Sequence, residues 1–330
     1  MNLTTKYLGL ELKNPIVVSS LPLSRDPDAV KRLEDAGAAG LVMHSLFEEQ
    51  IGRSGDKLDH YLAYGHDDYG ESLTYFPDIN NLSSAEEHLE LMGKIKQNSQ
   101  MPIIGSLNGT TPRIMAEYAA KMQATGIDAL ELNLYELPTE LDLRSADVET
   151  LYAQAVKAVC EAVDIPVAVK LPSYITALPN FCHRLVKQGA SGLVLFNRFY
   201  QPDIDINKLS VEPHLTLSTS QSLRLPLRWT AILYNRVKAD LALTSGVHTY
   251  EDAVKSLLAG ASVAMMASCI LRNGAGEITK ILDGLTGWME EHKFESVDQF
   301  RGRLSREKCP DPVAFERANY LRVLGSYEKK

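Results

Sequence analysis

Leu257-Leu258-Ala259-Gly260-Ala261-Ser262-Val263-Ala264-Met265-Met266 decides the fold of this 330-residue chain. An amphipathic run ends, a glycine follows, and an apolar stretch begins at once. Glycine just past a helix supplies a left-handed cap, and a short apolar run close behind it is the mark of a buried parallel strand. The phrase recurs. Leu33-Glu34-Asp35-Ala36-Gly37 precedes Leu41-Val42-Met43, Lys121-Met122-Gln123-Ala124-Thr125-Gly126 precedes Ala129-Leu130-Glu131-Leu132, and Leu185-Val186-Lys187-Gln188-Gly189 precedes Leu193-Val194-Leu195-Phe196. Repeated helix–glycine–strand units predict a parallel sheet wrapped in helices.

Outward from these repeats, apolar runs bounded by turn residues predict eight strands, at residues 15–20, 40–45, 102–107, 129–134, 166–171, 192–197, 241–246 and 262–268. Amphipathic segments at 26–36, 84–96, 112–124, 147–162, 178–187 and 250–259 separate most of them. Pro112 after Thr110-Thr111 is a helix-start signal. Alternation in this number predicts an α/β fold, a (β/α)8 TIM barrel. A doubly wound open sheet would need fewer strands and usually a glycine-rich first turn, which the chain lacks.

Insertions are expected after strands two and six. Residues 46–83 carry Tyr61, Tyr64, Tyr69, Tyr75 and Phe76 beside Asp56, Asp59, Asp67 and Asp68, as a lid or an interface would. Residues 198–226 include Thr216-Leu217-Ser218-Thr219-Ser220, which reads as a short hairpin. Extra C-terminal helices are expected at 277–291, 297–304 and 312–324. With no low-complexity linker, the chain reads as one domain over residues 1–330, ending in a helical extension at 305–330.

Hydrophobic residues make up 45% and charged residues 23%, ordinary for a globular protein. The net charge of -8, without a basic cluster interleaved with aromatics, argues against a nucleic-acid partner. No apolar run reaches the ~18 residues of a membrane span, and residues 1–20 lack the pattern of a secretory leader, so no membrane partner and a cytoplasmic location are expected. Cys160, Cys182, Cys269 and Cys309 form no CxxC pair, which argues against structural zinc and iron–sulfur ligation. No metal site is expected.

Barrels of this type build their active sites at the C-terminal ends of the strands. Those ends read Ser19-Ser20, His44-Ser45, Ser106-Leu107-Asn108, Asn133, Lys170, Asn197, Ser245-Gly246 and Ala267-Ser268. Strands seven and eight read as a phosphate site: Thr244-Ser245-Gly246-Val247 and Ala267-Ser268 each lead into a helix, and backbone N–H groups at a helix start cradle phosphate. Lys170 ends the apolar run Val167-Ala168-Val169, which directs its ammonium at the barrel mouth, either to form a Schiff base or to stabilise an anion. A lysine snorkelling from a strand edge is the plainer reading. His44 reads as a base, a ligand or a structural hydrogen-bonder, and His60, His66 and His88 complete no metal set with it.

These residues resemble the dihydroorotate dehydrogenase family. Leu8-Gly9-Leu10-Glu11-Leu12-Lys13-Asn14-Pro15-Ile16 with Ser19-Ser20 looks like its first strand and flavin-contacting turn. Glu131-Leu132-Asn133 matches its fourth strand, and Val169-Lys170-Leu171-Pro172 its fifth, whose lysine sits by the FMN ring. Asn197, with Arg198 beside it, falls where the sixth carries a substrate-side asparagine. Ser245, Gly246, Val247, Ala267 and Ser268 fall on the family's FMN phosphate pocket. Phe294-Glu295-Ser296-Val297-Asp298-Gln299-Phe300-Arg301-Gly302 resembles its closing helix, and the likeness covers about residues 6–304.

Departures gather on the substrate side. The family's base, a cysteine or serine after strand four, is replaced in Asn133-Leu134-Tyr135-Glu136-Leu137-Pro138-Thr139, so Glu136 stands in the base position, with Tyr135 beside it. Strand two ends in His44 where the family has lysine. The asparagine-rich substrate loop has become Glu71-Ser72-Leu73-Thr74-Tyr75-Phe76, and Ser218-Thr219-Ser220-Gln221-Ser222 replaces a glycine-rich stretch before strand seven.

The resemblance implies an FMN-dependent oxidoreductase that acts on a CH–CH bond, oxidising dihydroorotate or a related small molecule in pyrimidine biosynthesis. Glu136, Lys170 and Asn133 would be catalytic. Ser19, Ser20, His44, Asn133, Lys170, Ser245, Gly246, Val247, Ala267 and Ser268 would hold FMN, and Asn197 and Arg198 the substrate. It also implies a homodimer, with the aromatic loop 61–76 or the helix after Pro312 as the contact, and it leaves room for a separate redox partner. Two alternatives stand beside it: an FMN-binding relative with altered or lost dihydroorotate activity, and a Schiff-base lyase using Lys170.

Overall fold

Residues 1–51, 84–198, 201–212, 215–316 and 319–325 are described in the computed structural model. The chain opens with an antiparallel hairpin of β1 (Thr5–Tyr7) and β2 (Leu10–Leu12). It continues through β3 (Ile16–Val18), β4 (Leu41–Val42), β5 (Leu46–Phe47), β6 (Ile103–Asn108), β7 (Ala129–Asn133), β8 (Val167–Leu171) and β9 (Gly192–Leu195). A second hairpin, β10 (Asp203–Asp205) with β11 (Ser210–Glu212), precedes β12 (Asp240–Thr244) and β13 (Val263–Met266). Omitting the hairpins, the strands pair in parallel in the order β4-β3-β13-β12-β9-β8-β7-β6, and β4 pairs with β6 to close the ring. This is the (β/α)8 barrel that the repeats predict.

The helix-ending glycines behave as read. Gly37, Gly126, Gly189 and Gly260 take φ of +105°, +87°, +108° and +117°, the left-handed region that a side chain disfavours. At Gly260 a Cβ would also lie 2.3 Å from the Tyr234 ring. Helix starts are equally local in origin. Thr249 and Asp252 form a reciprocal capping box on Tyr250–Ala259, and Ser84 and Glu87 form one on Ala85–Asn98.

Strand alternation sorts the core into two shells. Outward-facing Leu41, Met43, Ile103, Leu130, Val169 and Leu193 pack against the helices. Inward-facing Val17, Val42, Ile104, Ala129, Ala168 and Val194 fill the barrel, together with Tyr7, Leu8 and Leu12 of the first hairpin. That hairpin stoppers the N-terminal end of the barrel. The Leu8 amide donates to Asp240 Oδ2 at 2.7 Å, and the Thr5 hydroxyl donates to the Ser262 carbonyl at 3.0 Å. Gly192 leaves room for the plug, since a Cβ there would lie 2.6 Å from a Leu8 methyl.

Several expected elements are redrawn. In the connection after β9 the hairpin is β10–β11, while residues 220–223 form a 3-10 turn that runs into a helix at Arg224–Leu233. Pro226 conceals that helix in the sequence, but it sits in the first turn, where proline displaces no helical hydrogen bond. The segment expected as a helix at 297–304 is a 3-10 turn, Val297–Gln299, and the last expected helix splits into Pro312–Phe315 and Asn319–Gly325. Residues 52–83 of the first insertion lie outside the described residues, and with them its aromatic cluster, His60 and His66.

Candidate active site

The two-residue period of the strands carries specific side chains up the inner wall. On β7 the inward series is Ala129, Glu131, Asn133; on β8 it is Ala168, Lys170. Above the apolar filling, a cavity of about 420 Å³ opens at the C-terminal ends of the strands. Ser19 and Ser20 line one side, Asn133 and Lys170 the floor, and Asn197 and Arg198 the rim. Ser245, Gly246, Val247, Ala267 and Ser268 line the remaining wall. Thus all but two of the sequence-nominated residues meet in one place.

Lys170 is buried, and its Nζ lies 3.3 Å from Glu131 Oε1. The other Glu131 oxygen has no hydrogen-bond partner among the described residues, and neither has the Tyr7 hydroxyl of the plug. Burial, with the charges of Glu131 and Asp240 added, holds the Tyr7 phenol well above its ordinary pKa. Glu131 stands within the Glu131-Leu132-Asn133 motif, and its signal in the sequence is a carboxylate at an inward place in an apolar strand. At the rim, Asn197 Nδ2 donates to Asn133 Oδ1.

The wall formed after β12 and β13 is held by its own bonds. Gly246 has φ +91°, and a Cβ there would lie 2.3 Å from the Leu223 backbone nitrogen, so the chain passes too close for any side chain. Ser268 Oγ accepts from the Ser218 amide at 3.1 Å, and Ser218 Oγ shares a 3.0 Å bond with His248 Nε2. Ser220 donates to Asp252 Oδ2 at 2.7 Å, and the same oxygen accepts the His248 and Thr249 amides. Burial first, then the Arg272 guanidinium, lower the pKa of His248. Thr216 and Ser218 of the preceding loop also line the cavity, as do Ser45 and Thr244.

His44 and Glu136 stand apart. The second strand breaks after Val42 and resumes at Leu46, and the alternation slips by one across the break. Ser45 takes the inward place and bonds Ser106 Oγ at 2.8 Å, while His44 turns away from the cavity. The expected flavin contact at His44 is therefore corrected: its ring packs 4.4 Å from that of His88. The Ser24 hydroxyl gives its hydrogen to the Leu21 carbonyl at 2.8 Å and so accepts from His44 Nδ1 at 3.1 Å, leaving Nε2 as a bare lone pair. Burial, then His88 and Arg25, lower the His44 pKa to about 3.

Glu136 lines a separate cavity of about 110 Å³ with Tyr152, Tyr174 and Ile175. Burial, then the charge of Glu48, raise its carboxyl pKa, and its Oε2 is buried without a partner among the described residues. Among those residues, no cluster of three or more His, Cys, Asp or Glu could hold a metal, and no helix is long and apolar enough to cross a membrane.

The first cavity thus joins a buried cation, a pair of amides and a polar wall rich in backbone amides. It can seat a flat, partly apolar ligand with an anionic tail. The family model described as Dihydroorotate dehydrogenase matches residues 2–289. Relatives named Dihydroorotate dehydrogenase B (NAD(+)), catalytic subunit, include that of Thermoplasma volcanium, 26% identical over 91% of this chain and 98% of its own. That of Pyrococcus furiosus is 26% identical over 92% and 98%, and that of Pyrococcus abyssi 27% over 91% and 98%. The chain belongs to the dihydroorotate dehydrogenase family. The matched span stops short of the Phe294–Gly302 stretch that resembles a closing helix.

Proposed function

From membership of the dihydroorotate dehydrogenase family, we infer that the cavity above Lys170 binds FMN and that the chain oxidises dihydroorotate there, in pyrimidine biosynthesis. The observation that carries the reading is the convergence in one cavity of Lys170, Asn133, Ser245–Val247 and Ala267–Ser268. The group fits these residues: Leu21, Val247, Met265 and Leu271 give apolar walls for a ring, and the turn at Ser245–Gly246 with the helix start at Ser268 gives N–H groups for a phosphate. When bound, FMN supplies the hydride acceptor. The chain does the rest. The Lys170 ammonium would offset the negative charge of a reduced flavin, a fixed cation that needs no reorganisation. Asn133 and Asn197 orient the substrate, with Arg198 at the rim to meet a carboxylate. Ser19 and Ser20, which line the same cavity, would help hold the flavin.

A second reading, an FMN enzyme whose substrate is not dihydroorotate, draws on Glu136. Its raised pKa suits a base, but its cavity is the neighbouring one. The lyase reading is disfavoured, because the chain belongs to a family of dehydrogenases. Relatives named as catalytic subunits support electron exit through a separate partner subunit. We assign the protein a cytoplasmic location and a homodimeric core on the family resemblance.

The deciding experiment is anaerobic addition of dihydroorotate to the purified protein. The reading expects a yellow protein that bleaches. Colourless protein that ignores added FMN overturns the flavin assignment, and yellow protein that stays unbleached favours the second reading.

A further inference from the structure

We propose that Glu131 is a positioning residue of this site: it fixes the Lys170 ammonium against the inner barrel wall and offsets its charge, thereby setting how readily a flavin above it is reduced. The proposal rests on the flavin reading above.

The geometry is specific. In the strand register Lys170 faces Asn133, whereas Glu131 faces Ala168, one inward step deeper. The Lys170 chain therefore leans down the barrel axis to bring Nζ within 3.3 Å of Glu131 Oε1. Glu131 is 1% exposed and contributes only one oxygen to the pair. The space below holds the Tyr7 hydroxyl, also without a partner among the described residues, and Asp240 lies beyond it on β12. A buried carboxylate in an apolar barrel is costly unless paired, and its pairing is with the one lysine among the described residues that lines the cavity. Without Glu131, a four-carbon side chain bearing an unbalanced charge would stand free to swing into the cavity.

The charges predict opposite signs. Glu131→Gln keeps the shape and leaves the ammonium unbalanced, which favours the reduced, more negative flavin. Lys170→Met leaves the carboxylate unbalanced and disfavours it. Each is expected to shift the oxidised-to-reduced equilibrium of bound FMN about tenfold, roughly 30 mV for a two-electron couple, upward for Glu131→Gln and downward for Lys170→Met. Glu131→Asp, which keeps the charge, should remain near the wild-type value. A role confined to packing would not split the potentials by sign.

A second measurement needs no flavin. Acetic anhydride labelling of flavin-free protein, read by mass spectrometry, should acetylate Lys170 several-fold faster in Glu131→Gln than in wild type. Unchanged or same-signed potentials with FMN bound overturn the proposal, and so do equal labelling rates. Wild-type protein that takes up no FMN sinks the flavin reading instead, and the labelling rates then decide only whether Glu131 fixes Lys170. Should Glu131→Gln fail to accumulate, the neutral Glu131→Leu, read by the same potential and labelling measurements, carries the test.

Discussion

Asn197 donates its side-chain hydrogen bond to Asn133 across an intervening strand, so the ends of β7 and β9 are joined over the top of β8. The bond spans the cavity rim, where both residues face the ligand space.

Asn197→Ala removes the donor and frees the Asn133 amide to rotate. Lost orientation should lower kcat/KM for dihydroorotate by about 10- to 100-fold. Stability should change by only about 1 kcal/mol, the worth of one rim hydrogen bond. Steady-state kinetics with parallel urea denaturation test the split, and equal losses in both would assign the bond to folding alone.

The buried pair of Lys170 and Glu131 should behave asymmetrically towards single and double substitution. Lys170→Met strands a carboxylate in the barrel and should destabilise the protein by about 3–5 kcal/mol. Adding Glu131→Gln to it should recover much of that loss. A double-mutant cycle by urea denaturation of flavin-free protein measures the coupling, and additive losses would contradict it.

Negative charge on the phosphate wall should expel the cofactor. Ser268→Glu is the selective substitution, since Ser268 is half-buried at a helix start. FMN uptake, read from visible absorbance after reconstitution, should fall at least tenfold while the melting temperature holds. Gly246→Asp should instead cost more than about 1 kcal/mol of stability, because φ of +91° and the Leu223 backbone exclude a Cβ.

Acid should loosen the outer shell at the buried histidines. Burial foremost lowers the pKa of His44 to about 3 and that of His88 to about 4. In the unfolded chain both protonate near the ordinary value of about 6.5. Below that pH the unfolded state binds more protons, so their stabilising contribution is full above about pH 6.5 and is lost as pH falls from there towards the folded values, by about 1.4 kcal/mol per unit for each histidine. His88→Leu should flatten the slope of unfolding free energy between pH 7 and 5; an unaltered slope would rule out the pair as its source.

Where local chemistry governs, the sequence was readable. The helix-ending glycines sit at positive φ, and the apolar runs after them became barrel strands. The placing of Ser245–Val247 and Ala267–Ser268 on one cavity wall was legible for the same reason, since a strand, a tight turn and a helix start lie within a dozen residues. Relationships set by distant parts of the chain were not. His44 was misassigned because a break between Val42 and Leu46 slips the alternation by one, which no residue between them announces. Glu136 was read from its place in a motif, but the loop path after β7 takes its side chain into the neighbouring cavity. The role of the first hairpin was equally hidden, because Tyr7 and Leu8 acquire a purpose only when a barrel closes around them.

That hairpin has a kinetic consequence. With Tyr7, Leu8 and Leu12 sealing the far end and Asp240 holding the stopper by the Leu8 amide, the barrel formed by the described residues opens at the C-terminal ends of its strands. Among the described residues, a molecule that must touch Lys170 arrives and departs through that opening. Reductant and oxidant that both require this opening must therefore take turns, and a full cycle becomes two half-reactions separated by a departure.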